Sequence, residues 1–170
     1  LRDREAETHS GRVTEVGVRL ARRLDVPEGE MMHIQRGGAL HDIGKVAIPD
    51  GILFKPGPLT DEEWLIMRRH PSIAVELLSP ISYLAPAMDI PRSHHEKWDG
   101  TGYPDGLAGE DIPLAARIFA LADVYDALTS DRPYRPAWSS SNALEYVNQN
   151  SGIHFDPNLA PEFINMVAAY

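Results

Sequence analysis

Apolar residues recur at helical spacing along most of the chain, and no segment alternates as a β-strand would. Val13, Val16, Leu20 and Leu24 fall on one face of a helix predicted over residues 3–24. The same pattern predicts further helices over residues 27–42, 61–69, 72–79, 83–95 with a disturbance near Pro91, 114–130, 139–150 and 159–169. We therefore expect an all-α chain, folded as one compact domain of about seven helices over residues 1–170.

Residues that break or cap helices refine these boundaries. Gly44 is placed to stop the second helix. Thr60 and Glu63 have the spacing of a capping box for the helix over 61–69, and Pro71 is expected to break the chain after it. Between the second predicted helix and the helix over 61–69, the Pro- and Gly-rich stretch 49–60 is typical of an irregular connector.

The composition of the chain excludes several classes of function. The chain has 170 residues, 43% of them hydrophobic, which suffices for a proper core, and no apolar run is long enough to cross a bilayer. It has no cysteine, which excludes disulfides and thiolate chemistry and is compatible with the cytosol. The net charge of −9 disfavours nucleic acid polymers as partners, but a small anion held through bound cations remains open. The chain begins at Leu1 and not at Met, and its pattern is helical almost from the first residue, so we expect it to be part of a longer protein.

Most of the seven histidines stand beside carboxylates or beside one another. Glu5 and His9 are four residues apart on a predicted helix, so they share a face and can grip one cation. Nitrogen and oxygen ligands without thiolate suit iron, manganese or similar ions better than a structural zinc. The pattern favours a site with more than one metal ion, and the candidate ligands are Glu5, His9, His41, Asp42, His70, His94, His95 and Asp123.

Taken singly, several of these residues have a structural interpretation. His41 with Asp42 can be a helix-terminal hydrogen bond, and His70 before a proline can be a helix cap. Asp123 and Asp126 lie three apart in a mostly apolar helix, where a buried carboxylate requires a metal or an arginine. For Asp126 we favour a structural hydrogen bond over a metal.

Four segments occur in order: "HDIGK" at 41–45, "HHEKWDGTGYP" at 94–104, "DVYDALTSDRPYR" at 123–135 and "HFDP" at 154–157. In this respect the chain resembles the HD-GYP family, a branch of the HD phosphohydrolase superfamily. The resemblance implies an all-α phosphodiesterase that opens cyclic di-GMP to linear pGpG, GMP or both, using two or three divalent metal ions, often iron or manganese. It also implies a bridging Asp42 and a third-metal role for Glu5, and the family's other ligand positions fall on His9, His41, His70, His94, His95 and Asp123.

Phosphodiester cleavage needs a nucleophile at neutral pH and neutralisation of the phosphoryl charge, and two metal ions supply both through a metal-bound hydroxide. Asp42 and Lys45 are the expected catalytic residues, with Lys45 reaching the scissile phosphate. The alternative for Lys45 is to complement a helix dipole. By resemblance, Arg132 and Arg135 hold substrate phosphate or guanine edges, and the alternative is that both are solvated loop residues. Tyr103 packs or contacts the ligand.

The resemblance also suggests partners. The GYP loop, residues 99–104, is a candidate surface for diguanylate cyclase (GGDEF) domains, and an N-terminal receiver or other sensory domain is expected in the longer protein. Structural roles are expected for His33, His154 and Trp98, whereas Glu96 has no assigned role. Two other functions stay open: hydrolysis of another cyclic dinucleotide or nucleotide, and a catalytically silent module that binds nucleotide or protein.

Overall fold

The computed structural model describes residues 2–131 and 136–169, with side chains from residue 9 onward within these ranges. The described residues form no β-strand, which confirms the all-α prediction. Their nine α-helices are α1 (Arg2–Arg23), α2 (Glu28–Leu40), α3 (Asp50–Leu53), α4 (Asp61–Met67), α5 (His70–Leu78), α6 (Asp89–Ser93), α7 (Leu114–Thr129), α8 (Ser140–Gln149) and α9 (Leu159–Ala168). None of these helices is long and apolar enough to cross a membrane.

Helices α1, α2 and α7 form the centre of the fold, with α1 packed against both of the others. Val13 and Leu20 of α1 and Ile118, Phe119 and Leu121 of α7 are fully buried. Each such side chain contributes about 1.5–3 kcal/mol when removed from water. The apolar face of α7 thus anchors a helix whose later turns carry carboxylates.

The second helix ends earlier than predicted, and Gly44 does not stop it. α2 ends at Leu40, and a 3-10 helix follows over Ile43–Ala47. Gly44 is buried in that 3-10 helix, where a Cβ would collide with the carbonyl oxygen of His70 and lie 2.8 Å from the backbone nitrogen of Ala74. The absence of a side chain therefore lets α5 approach closely, which brings His70 beside the end of α2.

The predicted capping box of α4 is confirmed. The Thr60 hydroxyl accepts from the Glu63 backbone N–H at 3.3 Å, and the Glu63 carboxylate accepts from the Thr60 N–H at 2.8 Å. The stretch 49–60 is not wholly irregular, because α3 forms within it. α5 begins at His70, two residues before the predicted start, since Pro71 fits a first helical turn, where its missing N–H would have no partner in the helix.

The prediction of one helix over residues 83–95 is wrong. A 3-10 helix covers Ser82–Ala87, and the short α6 follows. Pro86 lies inside the 3-10 helix and Pro91 in the first turns of α6, and each removes a backbone donor that a continuous helix would use. The chain therefore leaves α6 at Ser93, directly before the two adjacent histidines.

Candidate metal centre

Four predicted ligands meet in one group, called here the four-residue cluster: Asp42, His70, His94 and His95. One ligand atom from each lies within 4.8 Å of the others. Asp42 Oδ1 is 3.4 Å from His70 Nε2 and 3.9 Å from His94 Nε2. The cluster is thus built where α2, α5 and α6 begin or end.

Three more predicted ligands form a second group, called here the three-residue cluster: His9, His41 and Asp123. Their ligand atoms also lie within 4.8 Å of one another. His9 comes from α1 and Asp123 from α7, and His9 Nε2 is 3.3 Å from Asp123 Oδ1. Packing of α1 against α7 therefore unites residues that are far apart in the sequence.

Asp42 borders both clusters. Its Oδ1 faces His70 and His94, while its Oδ2 lies 3.3 Å from Nε2 of His41. Lys45 Nζ donates to the same Oδ2 at 2.6 Å. One carboxylate with its two oxygens turned toward two ligand groups has the geometry of a bridge between two cations.

Backbone carbonyls orient three of the histidine rings. The Nδ1 atoms of His41, His70 and His94 each lie within hydrogen-bonding distance of a carbonyl three or four residues earlier. Those carbonyls belong to Gly38 at 2.8 Å, Met67 at 2.8 Å and Ile90 at 2.9 Å. Because a carbonyl can only accept, Nδ1 carries the proton and the lone pair of Nε2 is left for a metal.

Buried polar atoms without a partner indicate whether these residues fit a metal. Among the described residues, Asp42 Oδ1, His70 Nε2 and His94 Nε2 are buried and have no hydrogen-bond partner. Three orphaned polar atoms in one place would be costly unless something satisfies them. Imidazole nitrogens and a carboxylate oxygen are donors that divalent transition metals accept, so the four-residue cluster fits such an ion.

The histidines of the four-residue cluster are held neutral. Burial lowers the pKa of His70, lowers that of His94 well below its usual value, and lowers that of His95 to about 3. Burial alone would raise the pKa of Asp42, but the His41 ring 3.3 Å from its Oδ2 and the charge of Lys45 outweigh it and lower the pKa well below the usual range. Neutral imidazoles around an ionised carboxylate are the protonation states that a metal requires.

The three-residue cluster carries a proton. Hydrogen bonds to Asp123 and then to Asp126 raise the pKa of His9 to about 9, although burial opposes them. Burial would raise the pKa of Asp123, but the hydrogen bond with His9 and the nearby histidines lower it. A cation that binds Nε2 of His9 must therefore displace a proton at neutral pH.

The GYP loop lies against the four-residue cluster. The Tyr103 ring stacks on His95 with centroids 4.8 Å apart and lies 6.5 Å from the His70 ring. The Arg68 guanidinium sits 5.4 Å from the Tyr103 centroid, and burial raises the pKa of the phenol, which keeps it neutral. Tyr103 thus lies beside the ligands; contact with substrate stays a prediction.

Glu96 is a residue whose role the sequence did not predict. It is 2% exposed, and its carboxylate accepts three backbone N–H groups. The donors are Asp105 at 2.7 Å, Gly106 at 3.2 Å and Leu107 at 3.1 Å. Glu96 therefore fixes the position of residues 105–107, which follow the GYP loop. The sequence did contain a signal for this role: Glu96 follows two candidate ligands and precedes a Gly-rich loop. Successive backbone N–H groups in such loops bind anions.

A close approach of backbone keeps the GYP loop folded back on this segment. The Tyr103 N–H donates to the His95 carbonyl at 3.2 Å. A Cβ on Gly102 would lie 2.6 Å from that oxygen and 2.5 Å from the Glu96 Cα. Only glycine fits there without displacing backbone, so Gly102 allows the loop to fold back on this segment.

Asp126 has the arginine that the sequence required. Arg12 Nε donates to its Oδ1 at 2.7 Å, and His9 Nδ1 lies 2.6 Å from its Oδ2. Burial would raise the pKa of Asp126, but the hydrogen bonds and charges of His9 and Arg12 outweigh it and lower the pKa. Asp126 is thus a hydrogen-bonding residue behind the three-residue cluster.

The remaining predicted residues lie elsewhere or are not described. The side chain of Glu5 and the residues Arg132 and Arg135 lie outside the described part of the chain. His33 and His154 belong to neither cluster, and the His154 ring stacks on Phe155 with centroids 4.4 Å apart. Backbone bonds hold Trp98 between the loop and the last helices: its N–H donates to the His154 carbonyl and its carbonyl accepts from Gly109.

The chain is similar in sequence to known phosphodiesterases and to a known domain family. Residues 1–159 match the model of the HD domain family. The chain is 49% identical over 148 residues to a cyclic di-GMP phosphodiesterase response regulator of Xanthomonas campestris pv. campestris, covering 86% of this chain and 39% of that protein. It is 45% identical over 160 residues to 3'3'-cGAMP-specific phosphodiesterase 2 of Vibrio cholerae, covering 93% of this chain and 31% of that protein. The chain therefore spans well under half of the length of these relatives.

A solved structure shares the fold. The HDG"Y"P protein from Bdellovibrio bacteriovorus superposes with a TM-score of 0.77 at 18% identity, over 96% of this chain and 52% of that chain. At that identity the likeness concerns the arrangement of helices alone.

Proposed function

The chain belongs to the HD domain family, in agreement with its resemblance to the HD-GYP branch, and on that premise we propose that it is a metal-dependent phosphodiesterase that hydrolyses cyclic di-GMP. The product is linear pGpG, GMP or both. The observation that carries the proposal is the pair of clusters joined at Asp42, whose two oxygens face different ligand groups. The relative from Xanthomonas campestris, with its printed name, supports the choice of substrate.

The residues divide the work. The four-residue and three-residue clusters would each hold a divalent ion, and such ions would supply a nucleophile at neutral pH and Lewis-acid contact with the phosphoryl oxygens. Asp42 holds the two sites at a fixed separation. Lys45, partly exposed beside Asp42, provides a cation at the edge of the clusters that stabilises negative charge developing on the phosphate. Tyr103, Arg132 and Arg135 are the proposed contacts to the rest of the substrate.

Iron or manganese is the proposed metal. The seven described candidate ligands offer nitrogen and oxygen only, which such ions accept. A third ion near Glu5 is part of the proposal, because Glu5 and His9 share a face of α1.

The direct test is hydrolysis by metal-loaded protein. Purified chain, loaded anaerobically with Fe²⁺ or Mn²⁺, should convert cyclic di-GMP to linear product by chromatography. Asp42→Ala should reduce the rate by more than about 100-fold, the loss that removing one preorganised charged group causes in an enzyme. Glu15→Ala, an exposed acid on α1, is the matched control and should keep the rate. No turnover by the loaded protein, or full turnover by Asp42→Ala, would contradict the proposal.

A second substrate has a specific observation in its favour, since one relative at 45% identity is named a 3'3'-cGAMP-specific phosphodiesterase. Measuring kcat/KM for both dinucleotides in one preparation separates the two. We expect the value for cyclic di-GMP to be higher, and the reverse ratio would favour the second substrate. The silent-module alternative predicts no turnover of either. It is disfavoured because both clusters retain a full set of ligand side chains.

Partners and location belong to the same proposal. A relative named a response regulator supports a receiver domain in the longer protein, and we place the reaction in the bacterial cytoplasm. The GYP loop presents Asp99 and Thr101 to solvent, which suits a contact with diguanylate cyclase domains. Calorimetry with a purified GGDEF domain should show binding that Asp99→Lys weakens. No binding by the unmodified chain would exclude this partner.

A further inference from the structure

The His9 ring lies between two carboxylates of α7. Its Nε2 is 3.3 Å from Asp123 Oδ1, and its Nδ1 is 2.6 Å from Asp126 Oδ2. The two acids are three residues apart on α7, so both face α1. With Nδ1 bound to Asp126, only Nε2 is directed at the three-residue cluster.

Arg12 fixes the carboxylate of Asp126. Its Nε donates to Oδ1 at 2.7 Å and its Nη2 to Oδ2 at 3.0 Å, which is a two-point contact with both oxygens. Nη2 also donates to Ser130 Oγ at 3.1 Å. Asp126 is only 7% exposed, so its carboxylate has little freedom to turn. One helix thus supplies both the metal-facing ring and, three residues later, the cation behind it.

This arrangement differs from that of the other rings. His41, His70 and His94 rest on neutral backbone carbonyls, whereas His9 rests on a charged side chain. A carboxylate acceptor orients an imidazole and makes it a stronger metal donor. The backbone partners cannot be changed by mutation, but Asp126 and Arg12 can.

We propose that Asp126 and Arg12 are positioning residues: they hold His9 so that Nε2 faces Asp123, and they thereby set the cation affinity of the three-residue cluster. The inference rests on the proposed two-metal function. Asp126 and Arg12, called here the dyad, are not candidate ligands themselves and act on the three-residue cluster only. The four-residue cluster should be insensitive to the dyad, because the rings of His70 and His94 rest on backbone carbonyls.

The experiment is a Mn²⁺ titration of the metal-stripped chain, followed by calorimetry and by electron paramagnetic resonance of free Mn²⁺. Asp126→Asn keeps the shape of the side chain but removes its charge, so it should weaken one of the two Mn²⁺ ions, the one in the three-residue cluster, by about 10- to 100-fold and leave the other unchanged. Arg12→Lys keeps the charge without the planar two-point contact, so its loss should be smaller. Arg23→Lys is the control, because Arg23 pairs with Glu162 at 2.8 Å and is similarly exposed, 42% against 45% for Arg12.

A second readout reports on the ring itself. In Zn²⁺-loaded protein, the Nδ1–H proton of His9 should give a downfield nuclear magnetic resonance signal that moves in Asp126→Asn and persists in Arg23→Lys. A merely structural role would instead lower the melting temperature and weaken both cations together. If Asp126→Asn fails to fold, Arg12→Lys carries the test.

Three results would overturn the inference: unchanged binding of both Mn²⁺ ions by the Asp126 and Arg12 variants, equal weakening of both ions, or fewer than two ions bound by the unmodified chain. Failure of the proposed function looks different. A chain that binds two Mn²⁺ ions with the expected sensitivity to Asp126 but leaves cyclic di-GMP intact would refute the substrate and keep the dyad.

Discussion

The two candidate clusters are made of the same residue types but from different parts of the fold. The four-residue cluster gathers side chains at the ends of short elements within residues 42–95, and the His94 side chain in it is fully buried. The three-residue cluster depends on the packing of the long helices α1 and α7, and the His9 side chain is 16% exposed. Burial outweighs the nearby Asp42 and keeps the histidines of the four-residue cluster neutral, whereas two acids keep His9 protonated.

This difference indicates that shared ligand chemistry does not imply shared affinity. A cation entering the four-residue cluster meets neutral imidazoles, since burial lowers their pKa values. A cation entering the three-residue cluster must first displace the proton of His9, whose pKa is raised to about 9. We therefore expect the four-residue cluster to fill first and more tightly.

The largest effect should come from removing a ligand of each cluster in turn. His94→Ala should weaken the tightly bound cation by more than the roughly 100-fold that loss of an outer partner causes, because it removes a donor atom directly. His9→Ala should leave that cation bound and lose the weaker one. Metal content per chain after dialysis, by mass spectrometry, distinguishes the two. If His9→Ala loses both cations, the clusters are not independent in the way described.

The second effect is the pH dependence of the two binding steps. Between pH 6 and 8, affinity of the three-residue cluster should rise about tenfold per pH unit, because the pKa of His9 is about 9 and its proton must leave. Affinity of the four-residue cluster should change little, because the pKa of His95 is about 3 and that of His94 is lowered well below its usual value. Calorimetric titrations at three pH values measure both slopes, and equal slopes would contradict the comparison.

A third effect concerns the loop beside the four-residue cluster. Glu96→Gln replaces a buried acceptor of three backbone N–H groups with an amide that has one acceptor oxygen, so the free energy of unfolding should fall by about 1–3 kcal/mol. Glu110→Gln, at an exposed position in the same region, is the control and should change it little. Urea denaturation monitored by circular dichroism gives the difference. Equal stability of the two variants would remove Glu96 from its assigned role.

A fourth effect is on the stability of metal-stripped protein. The pKa of His9 is about 9 when folded, above its ordinary value of 6.5, so its ion pairs stabilise fully below pH 6.5 and are lost as the pH rises to about 9. The melting temperature should fall over that window, and the fall should be absent in His9→Gln. A melting temperature with the same pH dependence in both proteins would show that the His9 ion pairs do not stabilise the fold.

The sequence predicted the all-α fold and named all seven residues of the two clusters, because helical periodicity and ligand types are local signals. It could not predict contacts that depend on packing. Gly44 was expected to stop a helix, but its role is to admit α5. The link from Arg12 to Asp126 joins residues that no periodicity relates. Residues 83–95 were predicted as one helix because their apolar pattern outweighed the two prolines.

The most direct test of the central claim is a crystal structure of Mn²⁺-loaded protein with anomalous diffraction. Two anomalous peaks are expected about 3.5–4 Å apart, the spacing of two-metal hydrolytic sites, one in each cluster with a different oxygen of Asp42 on each. A single peak, or two peaks of which one lacks Asp42 as a ligand, would contradict it.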